Sequence, residues 1–174
     1  MGDLIYVTGA LGGAAAGLEE LTRLARRSPK HGHGLPIPKS LAPSLECHFY
    51  PRPRLLQGLW LQKRRAATAA IDLSDGLSTD LAHVCEESGL AAEINASDLP
   101  LAPGATLAQA LHGGEDYELL FTAPATVHIP KKIAGVPVTH IGRMIRRRAG
   151  QPMIGLRSGE AVQPLAPQGW RHFA

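Results

Sequence analysis

Residues 71–77 read Ile-Asp-Leu-Ser-Asp-Gly-Leu. In an extended chain Asp72 and Ser74 point to the same side, being two residues apart. Asp75 follows at a corner where a helix opens, and Gly76 permits the tight turn. Two carboxylates and a hydroxyl make a poor seat for a bare anion. They suit a hard cation such as Mg²⁺, which takes oxygen ligands and bridges to phosphates. The simpler reading is helix capping, with Ser74 or Asp75 as N-cap of a helix starting near Leu77. On this segment alone capping ranks first. It does not account for Asp72, because an unpaired carboxylate inside an apolar strand is costly to bury.

A second acidic stretch, Gly113-Gly114-Glu115-Asp116-Tyr117-Glu118, runs directly into the apolar residues Leu119-Leu120-Phe121. Paired glycines let a backbone approach a ligand or another segment closely. The acids Glu115, Asp116 and Glu118 need a cationic neighbour if the following strand draws them inward: a protein Arg or Lys, a metal, or a positively charged substrate. A turn with a solvated acidic tip is the alternative. Residues 8–17 are nearly all Gly and Ala. Glycine loops that open helices can cradle phosphate, but there is no Gly-x-Gly-x-x-Gly and no Walker lysine, so close helix packing is preferred here. Trp170 lies in a polar tail, where it either stacks on a flat heterocycle or pins the tail. His31 and His33 lack a third metal ligand nearby and read as loop histidines.

The elements that must position these residues follow from periodicity. Residues 4–8 are β-formers ending at a glycine, which predicts a short strand and a turn. Leu18, Leu21 and Leu24 repeat at helical spacing, with Arg26 and Arg27 toward the helix end. Residues 28–53, rich in Pro, Gly and His, predict an irregular connection. Residues 54–70 have helical composition, and 69–73 alternate into a strand. Leu77, Leu81, Val84 and Cys85 fall on one helical face, with Gly89 placed to end the helix. Residues 91–94, 117–122 and 136–145 predict further strands, and 106–111 a short helix. Residues 146–174 read as a Pro/Gly-rich tail. Strands and helices mix without strict βαβ alternation, so the fold class expected is α+β, a mixed sheet with packed helices, in a single domain spanning 1–174.

The chain has 174 residues, 44% hydrophobic and only 5% aromatic, so its core must be built mainly from Leu, Ala, Val and Ile. Net charge is +3, with much of the excess in the runs 26–27, 63–65 and 146–148. None is interleaved with aromatics, and no nucleic-acid motif appears, so solvated helix ends and loop tips are expected and no nucleic-acid partner. No apolar run is long enough to span a bilayer, and nothing resembles a signal peptide; a cytoplasmic protein with no membrane partner is expected. Cys47 and Cys85 form no Cys-x-x-Cys pair, and Cys85 reads as a buried thiol.

Segments 2–9, 53–55, 70–77 and 111–122, and the ending Gly169-Trp170-Arg171-His172-Phe173, occur in the order and rough spacing of one family. The chain resembles the C-terminal domain of the thiamine-monophosphate kinases, within the wider aminoimidazole ribonucleotide synthetase-related superfamily. The combination of Ser-Asp-Gly-Leu, Gly-Gly-Glu-Asp-Tyr-Glu-Leu and Gly-Trp-x-His-Phe is specific, and the resemblance covers nearly the whole chain. It implies transfer of the γ-phosphoryl group of ATP to thiamine monophosphate, giving thiamine diphosphate, with several Mg²⁺ ions and no covalent intermediate. Residue by residue, it implies that Asp72 and Asp75 ligate Mg²⁺, that Ser74 contacts ATP, and that Glu115 and Trp170 contact the thiamine substrate. No side chain is assigned as nucleophile. It further implies an N-terminal ATP-binding domain that these residues lack, pairing of full-length relatives as homodimers through that domain, and little or no activity for this domain alone.

Two departures stand out. Gly13 lies where many relatives carry a polar residue, and Arg171 replaces a commonly acidic one. Two rival readings stay open: a superfamily relative acting on another substrate, such as a carbamoyl- or selenium-transferring enzyme, and a non-catalytic or truncated binding module.

Overall fold

A computed structural model describes residues 1–27, 37–39 and 42–169. Its organising element is a mixed sheet: β1 (Leu4–Thr8), β2 (Ala69–Asp72), β3 (Leu90–Asn95), β4 (Leu119–Ala123), β5 (Lys132–Ile133), β6 (Val136–Arg146), β7 (Ile154–Ser158) and β8 (Ala161–Pro164). Seven strands run in the order β2-β4-β1-β6-β3-β7-β8, and β5 pairs with the start of β6. All neighbours are antiparallel except β3 and β7, which are parallel. With the helices described below, this is the α+β mixed-sheet class expected from the sequence.

Five α-helices accompany the sheet among the described residues: α1 (Gly13–Arg27), α2 (Ala42–Phe49), α3 (Leu55–Arg64), α4 (Leu77–Ser88) and α5 (Leu107–His112). Strand alternation divides the core into two layers. Ile5 and Val7 of β1 face Leu77, Leu81, Val84 and Cys85 of α4, the helical face read from the sequence. Tyr6, between them, turns the other way. It stacks on Phe121 with centroids 5.2 Å apart, in a layer that also holds Leu61 of α3, Ile133 and Val138. Helix α4 ends as expected on Gly89, left-handed at φ +63° and donating its N–H to the carbonyls of Cys85 and Glu86. Burial pushes the Cys85 thiol up to about 12, so it stays protonated.

Several expectations need correction. Residues 28–53 are not irregular throughout, since α2 occupies Ala42–Phe49. Its second residue, Pro43, is tolerated because a first-turn proline gives up no intrahelical hydrogen bond. The helix expected over 54–70 is shorter: it stops at Arg64, and Arg65 takes the left-handed conformation at φ +49°. Residues 146–174 do not form a simple tail, because β7 and β8 extend the sheet. His31, His33 and Trp170 lie outside the described residues.

Candidate functional site

Among the described residues strand β2 is an edge strand that pairs only with β4. It delivers Asp72, then Leu73 into the core, then Ser74 and Asp75 to the opening of α4. Asp72 is exposed, not buried in an apolar strand as the sequence suggested, because it sits at the free edge of the sheet. The capping expectation is also overturned. The N-cap of α4 is Gly76, at φ +107°, with no side-chain cap. Its role is taken from inside the helix by Asp80, a fully buried acid whose Oδ2 accepts the N–H groups of Asp75 (3.2 Å) and Gly76 (3.0 Å). Asp80 thereby fixes the turn that carries Asp75. Its carboxyl is pushed up to about 6, first by burial, then by the nearby Asp75 carboxylate and more weakly by Asp72, against the lowering effect of the two N–H groups.

The second acidic stretch lies alongside the first. Leu73 donates its N–H to the carbonyl of Glu118 (2.8 Å), Tyr117 to that of Leu73 (2.9 Å) and Glu115 to that of Ser74 (2.9 Å). Such close backbone approach requires Gly114: a Cβ there would lie 2.5 Å from the Ser74 carbonyl oxygen. Glu115 and Tyr117 both adopt left-handed conformations, φ +69° and +48°, which cost about 1 kcal/mol or more each and persist only where the surroundings demand them. Here the cross-strand hydrogen bonds and the side chains between them make that demand.

Those side chains alternate in direction. Asp116 turns inward to the Gly/Ala segment, where its carboxylate accepts the N–H groups of Gly12 (2.6 Å) and Ala14 (3.2 Å) at the start of α1. The protein's own carboxylate thus occupies the amides that a phosphate cradle would have offered, and the packing reading of that segment stands. Burial raises the Asp116 carboxyl to about 6 despite these donors. Glu118 is buried and meets Arg54, whose Nε lies 2.6 Å from Oε2 and whose Nη2 donates to Oε1. Thr8 donates its hydroxyl to Glu118 Oε2 (2.6 Å) and accepts the N–H of Leu119 (2.8 Å). Glu115, in contrast, is exposed.

Asp72, Asp75 and Glu115 therefore meet at one corner. The Tyr117 phenol registers all three: it is held above its ordinary range first by the Glu115 carboxylate, then by slight burial, a hydrogen bond to Glu115, and the carboxylates of Asp72 and Asp75. Beside them opens a largely apolar cleft of about 640 Å³, lined by Pro53, Leu55, Leu59 and Leu119, with Arg54, Asp72 and Tyr117 among its polar residues. A larger cleft, about 1140 Å³, lies between α1 and residues 103–109 and contains none of the candidate residues. Among the described residues no three His, Cys, Asp or Glu side chains are grouped closely enough to hold a metal unaided.

The sequence did not single out Arg54, Asp80, Asp116 or Tyr117 as site residues. A trace existed for Asp80, an acid five residues after Asp75 on a helix that otherwise buries its first turn. For Arg54 the trace was its place in the family-like segment 53–55, with nothing to tie it to Glu118, 64 residues away.

No family model matches the chain. Over 99% of its length it is 40% identical to the thiamine-monophosphate kinase of Escherichia coli K12. Among solved structures, one described as "AaThiL complexed with AMPPCP and TMP" superposes with a TM-score of 0.77 at 32% identity, covering 99% of this chain. The thiamine-monophosphate kinase of Stenotrophomonas maltophilia K279a superposes at 0.69 with 32% identity over 92% of it. The chain spans about half the length of each, 53%, 52% and 52% in turn.

Proposed function

The chain belongs with the thiamine-monophosphate kinases, as the counterpart of their C-terminal half, and from that premise we propose that it is the substrate-holding half of an enzyme that phosphorylates thiamine monophosphate at the expense of ATP. The observation that carries this reading is the meeting of Asp72, Asp75 and Glu115 around Tyr117, built by backbone hydrogen bonds between two segments about 40 residues apart in the sequence. The relative solved with an ATP analogue and thiamine monophosphate supports the choice of substrates.

Magnesium fits this corner as a partial set. Asp72 and Asp75 offer hard oxygen ligands, and both push Asp80 upward, so negative charge is concentrated there and a divalent cation relieves it. With no three-ligand group among the described residues, Asp72 and Asp75 would hold the ion together with ligands from the nucleotide and from the rest of the enzyme. When bound, the ion would supply positive charge between the triphosphate of ATP and the single phosphate of thiamine monophosphate, offsetting their repulsion.

The chain's own residues supply position. Asp80 holds the turn that presents Asp75, and the hydroxyl of neighbouring Ser74 contacts the nucleotide. Glu115 and Trp170 take the cationic thiamine, the carboxylate by charge and the indole by stacking on a ring. A phosphate oxygen of thiamine monophosphate bonds to the γ-phosphorus, the bond from that phosphorus to the β–γ bridging oxygen breaks, and ADP leaves. The acceptor phosphate is already anionic, so no side chain needs to remove a proton.

On this reading residues 1–174 form one C-terminal-type domain. An N-terminal domain supplies most nucleotide ligands, the whole enzyme pairs as a homodimer through it, and the setting is cytoplasmic. The test mixes the chain with the separately produced N-terminal half of the Escherichia coli relative and follows thiamine diphosphate formation from ATP, Mg²⁺ and thiamine monophosphate. Turnover is expected from the mixture and not from the chain alone, and Asp75→Asn should abolish it. Robust turnover by the chain alone refutes the division between halves. A mixture that associates yet leaves thiamine monophosphate untouched refutes the substrate.

A further inference from the structure

The cleft between α3 and the end of β2 is walled by apolar side chains that face water. Leu55 and Leu59, one helical turn apart on α3 and 71% and 48% exposed, line it with Pro53 and Leu119. Its volume, about 640 Å³, is of the size that holds small organic ligands. Charge at its polar end is one-sided. The nearby cations are already engaged: Arg54 with Glu118, Arg52 with Glu46, and Arg64 over the Trp60 ring at 5.0 Å. Asp72 lines the cleft and is exposed, and among the described residues no ion pair reaches it. In the larger cleft beside α1, by contrast, the acids are paired: Glu20 with Arg23, and Glu19 with the Gln109 amide (2.6 Å).

Tyr117 lines the same polar end, with its backbone at φ +48°. A left-handed backbone is strained for a bulky residue. The hydrogen bond that fixes this position, from its N–H to the Leu73 carbonyl (2.9 Å), would be made without strain by glycine. Nor does the ring serve the core. Tyr6 stacks on Phe121 at 5.2 Å, whereas Tyr117 belongs to neither apolar cluster. Strain kept at a residue outside the core points to what its ring meets from the solvent side. Glu115 and Asp72 both hold the phenol above its ordinary range, so the potential there is negative. An aromatic ring under such a potential, beside an apolar wall, selects a flat organic cation over an anion or a neutral ring.

We infer, resting on the function proposed above, that this cleft seats the cationic ring system of thiamine monophosphate. Tyr117 offers its ring to the positive charge, and Leu55, Leu59 and Leu119 cover the apolar remainder. Asp72 lines the cleft and also belongs to the acidic corner, so a ring seated here lies next to the carboxylates proposed for magnesium. Selection of the acceptor then resides in α3 and Tyr117, to which the family resemblance gave no role.

The test follows the chain by NMR with isotope-labelled tyrosine rings, without Mg²⁺. It has three tyrosines, and Tyr117→Phe assigns the signal. The probes are thiamine, its neutral thiazole alcohol, and the N-methylated salt of that alcohol. Thiamine and the salt should shift the Tyr117 ring and leave Tyr6 in place. The neutral alcohol should bind about three- to tenfold more weakly than the salt, and Tyr117→Leu should weaken thiamine by a similar factor, as loss of a cation–π contact does. Tyr117→Phe keeps the ring and should bind like its parent, read from the thiamine signals. Leu59→Asn, at an exposed position on α3, should also weaken thiamine and decides the matter if Tyr117→Leu does not fold. Equal binding of the alcohol and its salt overturns the inference, as do Tyr117→Leu and Leu59→Asn chains that both bind like the parent. So does the absence of any response, since the seat consists of this chain's own residues. A Tyr117 shift produced by chain concentration alone also overturns it, with a second copy then in the cleft. The mixture with the N-terminal half separates this inference from the function. Thiamine diphosphate made by Tyr117→Leu at the parental KM removes the seat and leaves the kinase reading. A mixture without turnover, in which thiamine still shifts Tyr117, removes the kinase reading and leaves a seat for a flat organic cation.

Discussion

Removing Arg54 while leaving Glu118 should be among the most damaging single changes at the surface of this fold. Glu118 is buried, with a side-chain exposure of 5%, and Arg54 grips it with both Nε and Nη2 while remaining 20% exposed itself. Stripping one partner from a buried ion pair typically costs about 3–5 kcal/mol, because the other charge is left in a poor solvent. Two features place Arg54→Ala at the lower end. Thr8 still donates one hydrogen bond to Glu118, and the space vacated by a partly exposed arginine admits water. We expect a loss of about 3 kcal/mol. Glu118→Gln, which removes the buried charge, should cost roughly 1–2 kcal/mol. The double variant Arg54→Met with Glu118→Gln should then be more stable than Arg54→Ala alone, since no uncompensated charge remains and the methionine refills the apolar cleft. Urea unfolding of the four chains followed by circular dichroism measures this directly. A loss below about 1 kcal/mol for Arg54→Ala, or a double variant no better than the single one, would show that the pair is solvated and does not hold β4 in place.

Three further outcomes follow from the same geometry. Asp80 and Asp116 both have folded-state values near 6, above the ordinary carboxylate value of 3.8. Between about pH 4 and 6 the folded chain therefore holds protons that the unfolded chain has released, and stability should rise as pH falls from 7 to 5. After allowance for solvent screening the gain is on the order of 1 kcal/mol per group, and a urea midpoint that drops steadily over that range would contradict it. Glu115→Gln removes the leading cause of the raised Tyr117 phenol; an ultraviolet titration should show one tyrosine moving back toward 10, and an unaltered curve would separate Glu115 from the corner. Gly114→Ala places a Cβ 2.5 Å from the Ser74 carbonyl and should cost at least about 2 kcal/mol, since both segments are held by backbone contacts that cannot yield; thermal unfolding checks it, with a near-neutral result breaking the proposed pairing of the two acidic segments.

What could be read from the sequence was mostly local. The strand-turn-helix at 69–88 declares itself through alternation, a glycine and a four-residue apolar face, so its elements fell close to where they were expected. The acids at 115–118 declared that something unusual must neutralise them, but not what. Their partners lie 64 residues away at Arg54 and about 100 residues away at Gly12 and Ala14, and no periodicity connects such positions. Residues 42–49 were hidden by the prolines around them. Strands β7 and β8 were hidden by short length and by Gly155 and Pro164 within them. Asp72 was misjudged because an apolar strand looks buried until the sheet order shows that β2 is an edge.

The alternation of side chains separates acids that build the site from acids that are offered to a ligand. In the stretch 115–118, Asp116 and Glu118 point inward and are used up, one by the amides of α1 and the other by Arg54. Glu115 has the opposite orientation and stays in solvent. In the stretch 72–80 the same division recurs, with Asp80 inward on the turn and Asp72 outward at the sheet edge. The inward acids cannot easily be replaced, because each satisfies specific backbone or side-chain donors. The outward acids Glu115 and Asp72 satisfy no backbone donor of this kind, and both act on the same phenol, Tyr117. Exposed carboxylates held near one another repel, and a fold tolerates this at little cost only where water screens them. On the function proposed above, a magnesium-bound polyphosphate and a cationic thiamine would convert that repulsion into attraction, which would put the outward acids, and not the more conspicuous buried ones, at the substrates.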